Sequence, residues 1–515
     1  MTSTDQDLLF FNEAREKILT GIERIVDLTA YTYGPMGSNI KVVSEHSTSY
    51  FSPRTSSIVQ DIELVNKFEK LGEHFTKALI QKVDREFQDG SCLAILLLHA
   101  LVKNGLDKLQ KNQHADQICQ EMKEGLEFLY KELDEKSFAI ENESQLSQFI
   151  SGLLPKNQNV GLLLNELFQE IGLEGDILIE SCAATDHFAQ ILPGARIDSG
   201  YVSPYFCDSK EKDKATLDFP LLLLLDAPLN NIHSFLTLFK QLGKAKEQLI
   251  ILAHDIEPNV LATLSINHLQ GNFKICPLKG PKDPKKREAL FQNLAKASGT
   301  TAFKDIKMLQ SSNAIKQLGR LKKAIVYKEF SHFLFDDKSL SKSFESLEKL
   351  EISLEEETNL DKLQNIQESL SFINGYLGVL YTNSQGEALD QLFDCSRFIS
   401  SALKHGVVTG GGLALYRAAQ SLLESPLGKK AGVQVLARAC SNPLTKLIEN
   451  SGLDSPSLLK KIHSEKDDMG FNAKSGKIED LRKKTIVDPK RLIKTVLKLS
   501  SEGAMDIFKI DALIC

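Results

Sequence analysis

The sequence predicts an α/β module inserted into an α-helical domain. Both ends of the chain carry apolar residues at helical spacing, over the first 135 residues and over roughly the last hundred. The middle instead alternates short apolar runs with amphipathic helices, a pattern typical of a parallel sheet with crossover helices. Because helical segments flank the α/β segment on both sides, we expect the two ends of the chain to meet in one domain.

Helical periodicity begins near the start of the chain. Ile18, Ile22 and Ile25 recur at helical spacing and predict one buried face. This helix is expected to end before a loop that contains Gly34, Pro35 and other residues that break helices. Further helices are predicted over 62–86, 92–110, 114–134, 413–424 and 432–452.

Three short apolar runs in the middle of the chain are bounded by turn residues and predict strands. They cover 220–228, 247–256 and 272–280, with amphipathic helices predicted between them at 231–244 and 258–269. The apolar runs at 92–98 and 221–225 are expected to lie in cores.

Composition limits the classes of function. A chain of 515 residues implies about two to four domains. A net charge of −6 shows no excess of cations for a nucleic-acid partner, and no apolar run reaches the roughly 18 residues of a membrane span. The first residues do not resemble a signal peptide, and the eight cysteines are scattered without a Cys-x-x-Cys pair. We therefore expect a cytoplasmic protein without structural zinc or disulfides.

Two glycine-containing segments precede predicted helices and are candidate ligand loops. Asp89-Gly90-Ser91 opens onto a very apolar helix, whose start presents unpaired N–H groups that could bind a phosphate. Three glycines at 410–412 would allow close approach of the backbone to a ligand. Taken alone, each segment is more typical of an ordinary turn, and the isolated Asp394 is more typical of a solvated helix residue.

Six segments in register resemble a group I chaperonin, the GroEL type, from about residue 8 to about residue 510. The segments are YTYGPMGSN, DIELVNKFEKLGEHFTKALIQKV, QDGSCLA, GYVSPYF, HGVVTGGGLALYRAA and FNAKSG with IVDP. The resemblance implies a chaperonin fold of three domains. These are an equatorial domain (1–135 and 405–515), an intermediate domain (136–192 and 376–404) and an apical domain (193–375).

The resemblance also implies a nucleotide site for ATP and Mg²⁺, with K⁺ as a further cofactor. Asp89 matches the carboxylate that holds Mg²⁺, and Asp394 matches the catalytic carboxylate that orients water. The remaining matched nucleotide-binding positions are Thr32, Tyr33, Gly34, Pro35, Gly90, Ser91, Cys92, Leu93, Gly411, Asn472, Ala473 and Asp488. Gly411, Asn472, Ala473 and Asp488 match contacts to the base and ribose.

One departure from the family pattern concerns hydrolysis. Where the family reads Lys-Asp-Gly-Val, this chain reads Pro53-Arg54-Thr55-Ser56, so the second catalytic carboxylate is absent. An arginine cannot take a proton from water, and losing a positioned catalytic group costs about 10²–10⁴-fold in rate. Arg54 either pairs with a phosphate or is solvated. Two functions stay open: an ATP-driven folding machine, and a diverged paralogue that binds proteins with weak or no ATPase.

The resemblance implies unfolded proteins as clients, held in an apolar groove of the apical domain. The matched positions are Tyr201, Tyr205, Phe206, Leu236, Phe239, Leu261 and Ile266. Packing in a core would also explain apolar residues at this spacing. The resemblance further implies a homo-oligomeric seven-membered ring, with another chaperonin mixed into the ring or a co-chaperonin lid as additional partners.

Overall fold

The computed structural model divides the chain into two compact units, one inserted into the other. Met1–Asn165 and Gln385–Cys515 form the first, which we call the helical unit, and Glu166–Ser384 forms the second, the sheet unit. The structure describes residues 8–42, 50–52, 55–87, 89–110, 114–140, 142–154, 157–172, 175–183, 185–208, 214–231, 235–271, 274–310, 314–335, 375–384 and 387–514. The predicted insertion is confirmed.

The helices are numbered here along the described chain. They are α1 (Phe11–Thr29), α2 (Thr55–Gln60), α3 (Glu69–Glu86), α4 (Ser91–Leu109), α5 (Ala115–Glu135), α6 (Glu143–Leu153), α7 (Gln158–Ile171), α8 (Leu236–Ala245), α9 (Pro258–Leu269), α10 (Pro284–Ser298), α11 (Glu387–His405), α12 (Leu413–Glu424), α13 (Ala431–Asn450), α14 (Ser455–Ser464) and α15 (Lys490–Phe508). All the helices that the sequence predicts are present, although α3 begins seven residues later than expected.

The strands are numbered in the same way. They are β1 (Leu8–Phe10), β2 (Ile40–Val42), β3 (Tyr50–Ser52), β4 (Asp176–Ser181), β5 (Phe188–Ile197), β6 (Ala215–Asp218), β7 (Leu221–Leu229), β8 (Leu249–Ile256), β9 (Ile275–Lys279), β10 (Gly319–Val326), β11 (Ser331–Phe335), β12 (Tyr376–Thr382), β13 (Val407–Thr409), β14 (Met469–Asn472), β15 (Lys477–Asp480), β16 (Val487–Pro489) and β17 (Ala512–Ile514).

Helix α4 forms the centre of the helical unit. Its first half is apolar on all sides, and its residues from Leu93 to Leu98 are buried, as the sequence predicts for this run. The helices α13 and α15, from the other end of the chain, pack against it. The two ends also meet directly, because β1 pairs with β17 in antiparallel register. The core of this unit therefore needs both ends of the chain.

Two glycines allow helices α1 and α3 to cross closely. A Cβ atom at Gly21 would collide with the main-chain oxygen of Glu69, and one at Gly72 would collide with that of Ile18. Alanine at either position would force the helices apart, and overpacking of this kind costs about 1–3 kcal/mol.

The sheet unit contains one mixed sheet. Among the described strands the order is β4-β12-β5-β11-β10-β7-β8-β9, and β6 pairs with β10 outside this path. Strands β7, β8 and β9 are the three that the sequence predicts, and they are parallel to one another. Leu221–Leu225 are fully or almost fully buried, which agrees with the predicted core run. The antiparallel pairings of β5, β10 and β11 were not predicted.

The predicted intermediate domain has residues in both units. Its segments 136–192 and 376–404 are each divided, at Asn165 and at Ser384, between the helical unit and the sheet unit. Division into three domains therefore stays a prediction. Among the described residues, the helices are too short or too polar to cross a membrane.

Candidate functional site

A cavity of about 490 Å³ lies within the helical unit. Its walls come from the loop after α1, the start of α2, the start of α4, the end of α6 and one face of α11. The lining residues are Thr32, Tyr33, Gly34, Thr55, Ser56, Asp89, Gly90, Ser91, Cys92, Leu93, Leu153, Leu154, Gln391, Asp394, Cys395 and Phe398.

The cavity brings together most of the residues predicted for the phosphates. Thr32, Tyr33, Gly34, the five residues 89–93 and Asp394 all line it. Pro35, Gly411, Asn472, Ala473 and Asp488 do not appear among its lining residues. Apart from Pro35, the predicted phosphate residues are thus collected in one place, whereas the predicted base and ribose residues lie outside this cavity.

The start of α4 presents main-chain N–H groups to the cavity. Gly90 precedes the helix with a φ of 86°, a conformation that favours glycine, and its oxygen accepts the first helical hydrogen bond, from Ala94. The N–H groups of the first turn have no carbonyl partner within the helix and carry its partial positive charge. This geometry favours an anion.

The loop that contains Gly34 forms another wall. Gly34 has a φ of 85°, and the Asn450 side chain donates hydrogen bonds to the main-chain oxygens of Ala30 and Tyr33, at 2.8 and 2.9 Å. A Cβ at Gly34 would collide with Leu447, and one at Gly411 would lie 3.6 Å from the same side chain. Helix α13 therefore holds the Gly34 loop, and Leu447 lies beside both glycine segments.

The side chains of Ser91 and Cys92 are already engaged. The Ser91 hydroxyl donates to Asp84, and the Cys92 thiol donates to the oxygen of Thr29 at 3.5 Å. Burial raises the pKa of the Cys92 thiol to about 11, so the sulfur stays protonated at neutral pH. Main-chain groups, rather than these side chains, are therefore the available donors at the start of α4.

The negative charge of Asp89 acts on the carboxyl group of Asp488. Asp488 is a half-buried residue of β16, opposite Val408 of β13. Burial of its carboxyl, together with the negative charge of Asp89, raises the pKa of Asp488 to about 7. The pKa of Tyr33 is raised as well, first by burial and then by the charge of Asp488. Burial and a neighbouring carboxylate thus both disfavour the ionised form of Asp488.

The Asn472 side chain is used inside its own hairpin. Its amide donates to Glu479 at 2.6 Å, and its side-chain oxygen accepts from the main-chain N–H of Lys474 at 3.0 Å. Strands β14 and β15 form this hairpin, and Ala473 follows β14 as a buried residue. The side chain of Asn472 therefore shapes the turn.

Two walls of the cavity were not predicted from the sequence: Leu153 and Leu154 at the end of α6, and one face of α11. Gln391, Cys395 and Phe398 line the cavity with Asp394 at positions i−3, i+1 and i+4, so a single face of α11 contributes all four. Phe398 stacks on Phe149 of α6 with ring centroids 6.0 Å apart. The helical spacing around Asp394 was the signal that would have found these residues.

Two residues of the altered motif, Pro53 and Arg54, lie outside the described residues. Thr55 and Ser56, the next two, begin α2 and line the cavity. The Thr55 and Thr32 hydroxyls lie 3.2 Å apart. The motif that lacks the second carboxylate therefore leads directly into the wall of the cavity.

The predicted client-binding residues differ in exposure. Phe206 is fully buried and Phe239 is 9% exposed, and both pack in the core of the sheet unit. The expectation that these two side chains line an open groove is therefore corrected: they support the surface from beneath. Tyr205 and Ile266 are more than half exposed. Tyr201 and Leu261 are half-buried, and Leu236 begins α8 with its side chain outside the described part.

The model of the TCP-1/cpn60 chaperonin family matches residues 230–515, which is more than half of the chain. This chain belongs to the TCP-1/cpn60 chaperonin family. As a chaperonin, it functions in protein folding, and the predicted chaperonin fold is confirmed.

Two known proteins match this chaperonin over almost its whole length. It is 27% identical to "Chaperonin GroEL 3" of Protochlamydia amoebophila (strain UWE25) over 521 aligned residues, which cover 99% of this chain and 97% of the relative. It is similar in fold to the chaperonin gp146 from the bacteriophage EL 2 (Pseudomonas aeruginosa), crystallised in the presence of ATP-BeFx, with 18% identity. That match has a TM-score of 0.74 and covers 98% of both chains. A second crystal form of gp146 matches with a TM-score of 0.63.

We predict that Asp488→Asn stabilises this chaperonin above neutral pH. The pKa of Asp488 is raised from 3.8 to about 7 in the folded protein, so folding favours its protonated form. The native state then binds more protons than the unfolded state between about pH 4 and 7, and stability falls as pH rises through that range. The Asp488→Asn variant has no ionisable group at this position, so it does not lose stability in this way as the pH rises. Urea midpoints of variant and wild type should diverge from pH 5 to pH 8, with the variant higher at pH 8. Parallel midpoints at every pH would contradict the assigned electrostatics.

Proposed function

We propose that the cavity of the helical unit binds the phosphates of ATP, and that this chaperonin couples nucleotide binding to the holding of unfolded clients. The observation that carries the proposal is the shared cavity. The N–H groups at the start of α4, the Gly34 loop and Asp394 of α11 all line it. A helix N-terminus next to a glycine loop supplies both donors and space for a phosphate group.

Asp89 is the residue that we propose as the Mg²⁺ ligand. Its carboxylate is exposed at the start of α4, and its charge adds to burial in raising the pKa of Asp488; a cation bound at Asp89 would offset that repulsion. When bound, Mg²⁺ would neutralise phosphate charge. K⁺ stays a proposal that rests on the family resemblance.

We propose that hydrolysis is slow. Asp394 is suited to orienting a water molecule, because it lines the same cavity as the phosphate donors. The position of the second carboxylate carries Arg54, which is always protonated and cannot accept a proton. We therefore propose a chaperonin with intact nucleotide binding and low turnover.

The proposed client surface centres on α9 and the segment around Tyr205. Ile266 is 55% exposed, and Leu269 is 64% exposed three residues later on the same helix. Burial of apolar area is non-directional, so exposed side chains of this kind suit clients of varied sequence. Phe239 and Phe206 are assigned to the supporting core.

The assembly and location that we propose follow from family membership and composition. We propose a homo-oligomeric ring, with a second chaperonin or a co-chaperonin lid as further partners, and a cytoplasmic location. In the resembled family, an arginine and a glutamate form an ion pair between rings. The corresponding residues here are Thr445 and Asp454, so this ion pair lacks its arginine. Asp454 caps α14 by accepting from the N–H of Ser457 at 3.1 Å. A single ring is therefore the assembly that we favour.

We predict that Arg54→Asp increases ATP turnover about 10²-fold or more, because it restores a carboxylate where the family has one. Steady-state phosphate release with Mg²⁺ and K⁺ measures the effect. Arg438→Asp is the matched control, since Arg438 is an exposed arginine of α13 that does not line the cavity. Asp89→Ala should abolish Mg²⁺-dependent ATP binding.

A wild-type rate that neither Arg54→Asp nor Asp394→Ala changes would contradict the proposed roles of both positions. Loss of turnover in Asp394→Ala without gain in Arg54→Asp would contradict only the role of Arg54.

We predict that Ile266→Glu abolishes capture of an unfolded client while leaving the thermal unfolding midpoint nearly unchanged, because the charge is placed on an exposed apolar surface. Phe239→Glu should instead destabilise the sheet unit, since it buries a charge in the core. Suppression of aggregation of a chemically denatured client measures capture.

Phe219→Glu serves as the matched control for Ile266→Glu. Phe219 is 60% exposed and also belongs to the sheet unit, but it lies in the turn between β6 and β7. Client capture that survives Ile266→Glu, or that Phe219→Glu reduces equally, would overturn the assignment of α9.

A further inference from the structure

Arg417 is a buried cation that donates hydrogen bonds to the main-chain oxygens of one neighbouring segment. The side chain extends from α12, which begins directly after the glycines at 410–412, and the residue is 8% exposed. A single terminal nitrogen, Nη2, lies within hydrogen-bonding distance of four carbonyl oxygens. They belong to Ile462 at 2.8 Å, Glu465 at 3.0 Å, Lys466 at 2.9 Å and Met469 at 3.4 Å.

These four oxygens trace the path from α14 into the hairpin of β14 and β15. Ile462 lies in the last turn of α14, where its carbonyl also accepts from the main-chain N–H of Glu465 and where a cation is favoured. Met469 is the first residue of β14, the strand that leads to Asn472 and Ala473. Arg417 therefore joins the end of a helix to the start of the hairpin.

Neighbouring contacts hold the same hairpin against α12. Leu413 lies one turn before Arg417 on the same face, and a Cβ at Gly470 would come within 2.7 Å of its side chain. The Thr409 hydroxyl donates to Asp468 at 2.9 Å, just before the hairpin begins. The glycine segment, α12 and the hairpin thus form one packed group.

The Gly34 loop depends on a different support. Asn450 of α13 holds that loop by hydrogen bonds to Ala30 and Tyr33, and Arg417 is not among the residues that line the phosphate cavity. The two sides of the proposed site are therefore fixed by separate residues within the described part of the chain.

We infer that Arg417 is a positioning residue that sets the base and ribose side of the nucleotide site by holding the Met469–Asp480 hairpin against α12. The inference rests on the proposed nucleotide function and adds to it a residue that acts through the hairpin rather than by touching the ligand. Without the guanidinium, the carbonyl groups of this segment lose the two hydrogens that Nη2 shares among them, and the hairpin is free to shift. Contacts made to the nucleoside should weaken, whereas contacts made to the phosphates should persist.

The test compares the affinities of the assembled protein for ATP and for inorganic tripolyphosphate, each with Mg²⁺, by titration calorimetry. We expect Arg417→Met to raise the Kd for ATP about tenfold and to change the Kd for tripolyphosphate less than about twofold. Arg417→Lys, which keeps a cation and a donor, should recover part of the affinity for ATP. If Arg417→Met fails to fold, the same comparison of the two affinities is made with Arg417→Lys.

Arg15→Met is the matched control. Arg15 is 6% exposed and likewise donates to a main-chain oxygen, that of Ile510 at 2.8 Å, but it belongs to α1 and lies outside the hairpin. Arg15→Met should lower the thermal unfolding midpoint without changing the ratio of the Kd for ATP to the Kd for tripolyphosphate. Equal loss of ATP and tripolyphosphate binding in the Arg417 variants, or no loss of either, would overturn the inference alone. Failure of the wild type to bind ATP would overturn the proposed function and this inference together.

Discussion

The burial of α4 is the constraint on which the rest of the helical unit depends. Because its first half is apolar on every side, that part must be enclosed, and the enclosing helices come from both ends of the chain. Enclosure fixes the direction of α4, so its N-terminal N–H groups and partial positive charge stay at the cavity. The sheet unit is inserted between the two halves of the chain that enclose α4. A chain that buried α4 differently would lose the proposed phosphate site and the core together.

The negative charge next to that helix end has a complementary role. Burial, together with the charge of Asp89, raises the pKa of Asp488 and so disfavours its ionised form. In the proposed site, a cation bound at Asp89 would offset the repulsion between the two carboxylates.

The sequence predicted the parts of the fold that follow from local pattern. The buried strands around Leu222, Ile250 and Cys276 were found because short continuous apolar runs between turn residues are typical of strands buried on both faces. The antiparallel pairing of β5 with β11 was not found, because pairing between distant strands leaves no local signal.

The candidate site was predicted less completely than the fold. The phosphate residues were recovered through the resemblance, whereas Gln391 and Phe398 were missed because a helix face is recognisable as a wall only when its neighbours are known. The assignment of Phe206 and Phe239 to the client groove was wrong, because an apolar residue at helical spacing faces either a core or a client. The helical spacing is the same in both cases, so it does not separate them.

The central claim is that the start of α4 receives the phosphates of ATP. The most direct measurement is an electron cryomicroscopy map of the assembled protein with Mg²⁺ and ATP-BeFx. The account predicts density for the phosphates within hydrogen-bonding distance of the main-chain N–H groups of Ser91–Leu93, between the Gly34 loop and Asp394. Nucleotide density elsewhere in the helical unit, or an empty cavity at saturating ATP-BeFx, would contradict it.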